Sequence, residues 1–295
     1  MTIFSGTGVA VVTPFSEDRS IDRDALVGII RHLLDGGVEY LVALGTTAET
    51  ATLSADEQLE VVDLFFETVG DACPIVLGAG GNNTQTVSKT VAEFSKRYKQ
   101  AAGILSASPY YNKPTQAGIK AHYKAVAEST DLPVILYNVP GRTASNVAAQ
   151  TTLELAHEVK NIVAVKEASG DLEQIMEIIR QKPNGFLVVS GDDALTLPMM
   201  GAGADGVISV VANALPREYS DMVRAALAGD FSKAQSLHYK VLPLIKWLFT
   251  EGNPAGVKTY MDLQGLCQPF VRLPLIEGSD ELRAKMTELK ALIEA

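Results

Sequence analysis

Apolar residues along this chain gather in eight short runs rich in β-branched side chains: TGVAVVTPF (7 to 15), YLVALGTT (40 to 47), PIVLGAGG (74 to 81), GILSASPYY (103 to 111), PVILYNVPG (133 to 141), IVAVKEASG (162 to 170), FLVVSGDD (186 to 193) and GVISVVAN (206 to 213). Their starts lie 20 to 34 positions apart. Between them, segments such as 22 to 36, 54 to 69, 84 to 99, 115 to 128 and 171 to 180 carry apolar residues at helical spacing. Ser54, Thr84, Thr115 and Asp171 precede or open such segments and read as N-caps. Strand and helix therefore alternate eight times. That alternation predicts a parallel sheet, and eight units in roughly 225 residues suit a closed (β/α)₈ barrel better than an open doubly wound sheet, which is the competing arrangement. Helical patterns at about 230 to 250, 254 to 265 and 279 to 294 then predict a C-terminal appendage. The expected organisation is a catalytic barrel over 1–228 and a helical region over 229–295.

Composition narrows the class without changing this picture. A chain of 295 residues, 47% hydrophobic and 20% charged, can bury a large core. No apolar stretch reaches the eighteen residues of a membrane span, and the first residues lack the pattern of a signal peptide, so a cytoplasmic protein is expected. The net charge of −10 argues against nucleic acid or anionic lipid as a partner. Cys73 and Cys267 are far apart and belong to no close-spaced Cys/His pair, so neither a disulfide framework nor zinc is suggested.

In such barrels the chemistry sits at the C-terminal strand ends and the loops that follow. The polar residues there are Thr13, Thr46, Thr47, Asn82, Tyr110, Tyr111, Tyr137, Asn138, Arg142, Thr143, Lys166, Glu167, Asp192, Asp193, Ser209 and Asn213. They include one lysine and no histidine. Alternation in the sixth run puts Ile162, Ala164 and Lys166 on one face and Val163, Val165 and Glu167 on the other. If the first set fills the barrel, Lys166 points into its upper cavity, where desolvation favours the neutral amine, the nucleophile of Schiff-base chemistry. Glu167 turns away and is assigned to packing or pairing behind the strand. The pattern leaves a second reading open, in which Lys166 pairs with a carboxylate such as Asp192 or snorkels to solvent. Tyr137 reads equally as a core tyrosine, Thr46 and Thr47 as turn residues, and Arg142, after a Pro-Gly turn, as a surface arginine or a carboxylate clamp.

Two other chemistries are discounted. His32, His122, His157 and His238 fall in helical patterns with no i, i+4 pair, which gives metal hydrolysis little support. GAGGNN (78 to 83) does not complete a G-x-G-x-x-G phosphate cradle and has no Lys-Ser/Thr after it.

In TGVAVVTPF, GTTAET, SPYYNKP, YNVPGRT, VAVKEASG, SGDD and GVISVVAN, in this order and at this spacing, the chain resembles the class I pyruvate-dependent aldolases, the family of dihydrodipicolinate synthase (4-hydroxy-tetrahydrodipicolinate synthase) and N-acetylneuraminate lyase. The resemblance covers nearly the whole chain. It implies that Lys166 forms an imine with pyruvate and that Tyr137 relays protons with Thr47 and Tyr111, the last reaching the site of a neighbouring subunit. It also implies a pyruvate pocket lined by Thr46, Thr47, Gly191 and Ile208, no metal or organic cofactor, and a homotetramer built from tight dimers. The arginine of YNVPGRT, Arg142, favours the synthases, in which it receives the carboxylate of aspartate semialdehyde; neuraminate lyases lack it. The competing functions are another pyruvate aldolase acting on a sugar acid or hydroxy-oxoglutarate, and a non-catalytic barrel that binds a keto acid.

Two departures from the family stand out. GTTAE replaces the usual GTTGE, so if position 48 requires a positive φ, Ala48 carries a cost. Lysine-inhibited members carry a histidine at the position of Ala55, often a basic residue at that of Gln58, and a glutamate at that of Thr86. Asn82 and Tyr110 match that regulatory site, yet without the glutamate a bound lysine's ammonium lacks its partner, and inhibition by L-lysine is expected to be weak or absent.

Overall fold

In the computed structural model, which describes residues 3–294, eight strands follow one another in sequence order around a closed barrel. They are β1 Gly6–Ala10, β2 Tyr40–Ala43, β3 Ile75–Gly78, β4 Gly103–Ala107, β5 Val134–Asn138, β6 Ile162–Glu167, β7 Leu187–Ser190 and β8 Gly206–Ser209. Each is shorter than the apolar run that predicts it, because the last residues of each run bend into the loops that follow. Helices α1 Arg23–Asp35, α2 Ala55–Val69, α3 Thr84–Arg97 and α4 Gln116–Glu128 follow the first four strands. A one-turn helix α5 Pro140–Thr143 precedes α6 Ala149–Glu158, and α7 Leu172–Gln181, α8 Thr196–Gly201 and α9 Pro216–Leu227 complete the alternation. The expected appendage is α10 Phe231–Thr250, α11 Ala255–Leu263 and α12 Asp280–Glu294.

The chain is made of two compact units, one built on Pro74–Ile208 and the other on Gly6–Cys73 with the chain from Ser209 onward. In the first, β3 to β8 pair in parallel, and β6 meets β5 with Tyr137 opposite Lys166 and Asn138 opposite Glu167. In the second, β1 and β2 pair in parallel and Asn213 locks the end of β1, its Oδ1 accepting from the Val12 amide and its Nδ2 donating to the Ala10 carbonyl. The strands of both are buried nearly throughout, which is why they read as continuous Val/Ile/Leu runs. Gly8 is glycine for a packing reason: a Cβ there would lie 2.2 Å from the ring of buried Tyr40.

The caps came out with one correction. Ser54 closes a capping box with Glu57, and Thr115 and Asp171 cap α4 and α7 as expected. Thr84 does not cap α3: the cap is Asn83, whose side chain accepts from the Thr86 amide, while the Thr84 hydroxyl meets His122 Nδ1 at 2.9 Å. Asn is as good a cap as Thr, and the helix starts one residue earlier. The Pro-Gly of YNVPGRT is likewise not a free turn but the first turn of α5, with proline at the start, where its missing N–H costs nothing.

Candidate active site

Lys166 stands near the end of β6 and is only 4% exposed. Its pairing partner across the ladder is Tyr137, and the Lys166 Nζ sits 4.3 Å from the centroid of the Tyr137 ring. Burial lowers the pKa of Lys166 from its ordinary 10.5 to about 7; the Asp193 carboxylate opposes the fall and the Arg142 guanidinium adds to it. With the two nearby charges acting in opposite directions, desolvation decides, and a large fraction of the amine is neutral near pH 7. Asp192, the carboxylate considered from sequence as a partner for Lys166, is engaged elsewhere, because its Oδ1 accepts from the amides of Ala194 and Leu195 in the turn before α8.

Gly191, just after β7, makes room for the lysine. A Cβ at this position would lie 2.9 Å from Lys166 Cε and 2.8 Å from Ala168 Cβ, so any side chain here would push the lysine's arm aside. Ile208 is buried in β8. Arg142 lies in α5 with its side chain exposed, near enough that its charge acts on Lys166. Lys166, Tyr137, Arg142 and Gly191 are thus brought together. Tyr111 is not: it is 86% exposed on the loop after β4, with a left-handed φ of 69°. Tyr110 is exposed beside it, and the Asn82 carbonyl accepts from the side chain of Asn112 on the same loop.

Behind the reactive face lies the carboxylate that alternation turned away. Glu167 and Asn138 are both fully buried, and Asn138 Nδ2 donates to the two Glu167 oxygens at 3.0 and 3.2 Å. The pairing expected behind the strand is therefore present.

Thr46 and Thr47 belong to the other unit, in a short 3₁₀ turn after β2. Thr46 is exposed, whereas Thr47 is buried with its hydroxyl accepting from Asn253 Nδ2 at 2.9 Å. The condition under which Ala48 would be strained is not met, since the left-handed residues of this loop are Leu44 and Glu49. Glu49, with φ 55°, sends its carboxylate to Lys258 Nζ at 2.6 Å, and its second oxygen accepts from the Arg272 amide at 2.9 Å. Asn253, Glu49 and Lys258 were not singled out from the sequence. The signal lay in NPAGVK: an Asn-Pro ahead of a helix carrying a lysine among apolar residues, in a segment that reads as a mere appendage. Among the described residues, no group of three or more His, Cys, Asp or Glu is placed to hold a metal ion.

The model of the Dihydrodipicolinate synthetase family matches residues 3–294. The chain belongs to that family. It is 50% identical over 287 residues to the 4-hydroxy-tetrahydrodipicolinate synthase of Flavobacterium psychrophilum, covering 97% of each chain. To the enzyme of the same name from Phocaeicola vulgatus it is 49% identical over 293 residues, covering 98% of each. The crystal structure of dihydrodipicolinate synthase from Aquifex aeolicus superposes with a TM-score of 0.94 at 41% identity, covering 98% of this chain and 97% of that one. Membership of the dihydrodipicolinate synthetase family gives a frame for the Lys166–Tyr137 pair, the short arginine-bearing helix α5 and the glycine under the lysine.

Proposed function

We propose that this protein condenses pyruvate with L-aspartate-4-semialdehyde, the 4-hydroxy-tetrahydrodipicolinate synthase reaction named for its relatives, through an imine on Lys166. The observation that carries the chemistry is a buried lysine with its pKa drawn down to about 7 beside a tyrosine ring. The neutral amine adds to the C2 carbonyl of pyruvate, and the carbinolamine takes up a proton and loses water to give a protonated imine. Loss of a C3 proton gives the enamine, and Tyr137, whose ring centroid lies 4.3 Å from the lysine nitrogen, is assigned as the first carrier of protons. Thr47 and Tyr111 are assigned to pass them on. The enamine carbon attacks the aldehyde, Arg142 gripping its carboxylate with charge-assisted hydrogen bonds. The amine of the second substrate then displaces Lys166, closing the ring and releasing the enzyme. The iminium nitrogen supplies the electron sink, so the sequence of steps needs no metal or organic cofactor.

Gly191 and Ile208, with Thr46 and Thr47, are assigned to the pyruvate pocket. An exposed tyrosine held in a left-handed backbone is costly unless something receives it, and for Tyr111 we assign that role to a second copy of the chain, within a tetramer of tight dimers. We place the reaction in the cytoplasm; two buried cysteines that form no disulfide suit a reducing compartment. Asn82 and Tyr110 are assigned to a regulatory pocket that has lost its ligand: Ala55 opens α2, the Gln58 amide is spent on the Leu53 carbonyl, and Thr86 is exposed on α3.

Purified protein given both substrates tests this reading. Pyruvate should be consumed only when aspartate semialdehyde is present; turnover of a sugar acid or hydroxy-oxoglutarate with none from aspartate semialdehyde would overturn it.

A further inference from the structure

We propose that Asn138 and Glu167 are positioning residues that fix the Arg142 segment against β6 and thereby set the affinity for the second substrate; this rests on the condensation reading above. Each is the neighbour of a reactive residue, Tyr137 or Lys166, turned to the opposite face by the alternation of its strand. Every contact that the Glu167 carboxylate makes here is with a donor: Asn138 Nδ2, the Ser169 amide at 2.9 Å and Gln174 Nε2 at 3.1 Å. That is the complement of an ionised carboxylate, which only accepts. Burial pushes the carboxyl above its ordinary range, and these hydrogen bonds oppose the rise.

Asn138 then carries the anchor across to the arginine loop. Its Oδ1 accepts from the Val147 amide at 2.9 Å and its Nδ2 donates to Asn146 Oδ1 at 2.8 Å, so the two ends of the segment 138–147 are clamped together. Gln174 on α7 joins the same clamp, its Oε1 accepting from Asn146 Nδ2 at 2.8 Å. Within the segment, Thr143 donates to the Ser145 carbonyl at 2.7 Å. Arg142 lies at the far side of this closed loop, exposed, in the one-turn helix α5 whose backbone bonds run from Arg142 to Val139 and from Ala144 to Pro140, so the clamp at the base of the loop sets where that turn and its guanidinium stand. A buried carboxylate is an expensive way to fill space behind a strand, and a glutamine would be cheaper if shape were all that mattered. Glutamine, however, would turn an –NH₂ toward the amide donors of Asn138 and Gln174.

Glu167→Gln is therefore the decisive variant, equal in size and opposite in hydrogen-bonding sense. It should raise KM for aspartate semialdehyde about tenfold, the worth of one bond to a charged group, while KM for pyruvate and borohydride trapping at Lys166 stay as in the parent. Amide exchange should quicken over 139–147 and not over 162–168. Asn146→Ala, at the exposed edge of the clamp, should act in the same direction by about threefold, and carries the test if Glu167→Gln does not fold. An unchanged KM for aspartate semialdehyde, or an equal rise in both KM values, would overturn the proposal. A parent enzyme that never turns over aspartate semialdehyde would sink the reaction assigned above; exchange then still decides, since acceleration spread evenly over both segments contradicts positioning.

Discussion

Among the described residues two lysines are almost completely buried, Lys166 and Lys258, and they have opposite fates. Lys258, on α11, has a carboxylate oxygen of Glu49 at 2.6 Å, the Phe270 carbonyl at 2.9 Å and the Phe15 ring at 4.2 Å. Burial pulls its pKa down, and Glu49 opposes that at contact distance. Its charge is answered on the spot, and the result is a tether between the start of α11 and the loop that carries Thr46 and Thr47. Lys166 faces a tyrosine ring and two charges of opposite sign, so its burial is only partly offset and its pKa falls to about 7. Burial alone does not set Lys166 apart from Lys258; burial without a counter-charge at contact distance does.

The comparison can be broken from either side. The largest effect is expected at the nucleophile: Lys166→Ala should lower turnover at least about a thousandfold with the fold intact by circular dichroism, as removal of a covalent nucleophile does. Lys258→Met should leave the imine chemistry in place and cost about 3–5 kcal/mol of stability by stranding Glu49, read as a fall in melting temperature; adding Glu49→Gln should recover part of it. Retained stability in the single variant would mean that the pair is not the tether described.

Stability should move the other way at the reactive lysine. Its folded pKa is about 7 and its ordinary value 10.5, so between those limits the unfolded chain binds the extra proton and stability rises with pH. Lys166→Met should thus stabilise the protein by about 2–4 kcal/mol near neutral pH, a gain that fades in alkaline solution. The same ionisation should appear in catalysis, with kcat/KM for pyruvate climbing with pH and levelling above about 7. Arg142→Ala should raise KM for aspartate semialdehyde about tenfold to a hundredfold. Because the guanidinium lowers the pKa of Lys166, its removal should also shift that climb to higher pH. The smallest effect is expected from submillimolar L-lysine, which should leave the rate unchanged.

The two lysines were not equally legible in the sequence. The barrel could be read because both sides of each strand are buried and the helices between are amphipathic, two patterns that local composition writes directly. Lys166 stood out because it interrupts a strand, Arg142 because it follows the Pro-Gly of the fifth run, and Gly191 only through the family resemblance. Lys258 did not stand out, since a lysine in a helix is ordinary unless the helix is known to be wrapped by other chain, and its partner Glu49 lies far away in sequence. The left-handed turn at Glu49, not at Ala48, was hidden for a related reason: a glutamate there is held by tertiary bonds rather than by its own backbone preference. The Asn138–Glu167 clamp was half visible, as parity turned Glu167 behind the strand but could not name what it meets.

The central claim is that Lys166, which has no carboxylate at contact distance among the described residues, and not the paired Lys258, forms the imine. Protein incubated with pyruvate and borohydride should carry one reduced adduct, mapped by peptide mass to Lys166, and Lys166→Ala should carry none. An adduct of equal yield in Lys166→Ala, or one mapped to Lys258, would contradict the account.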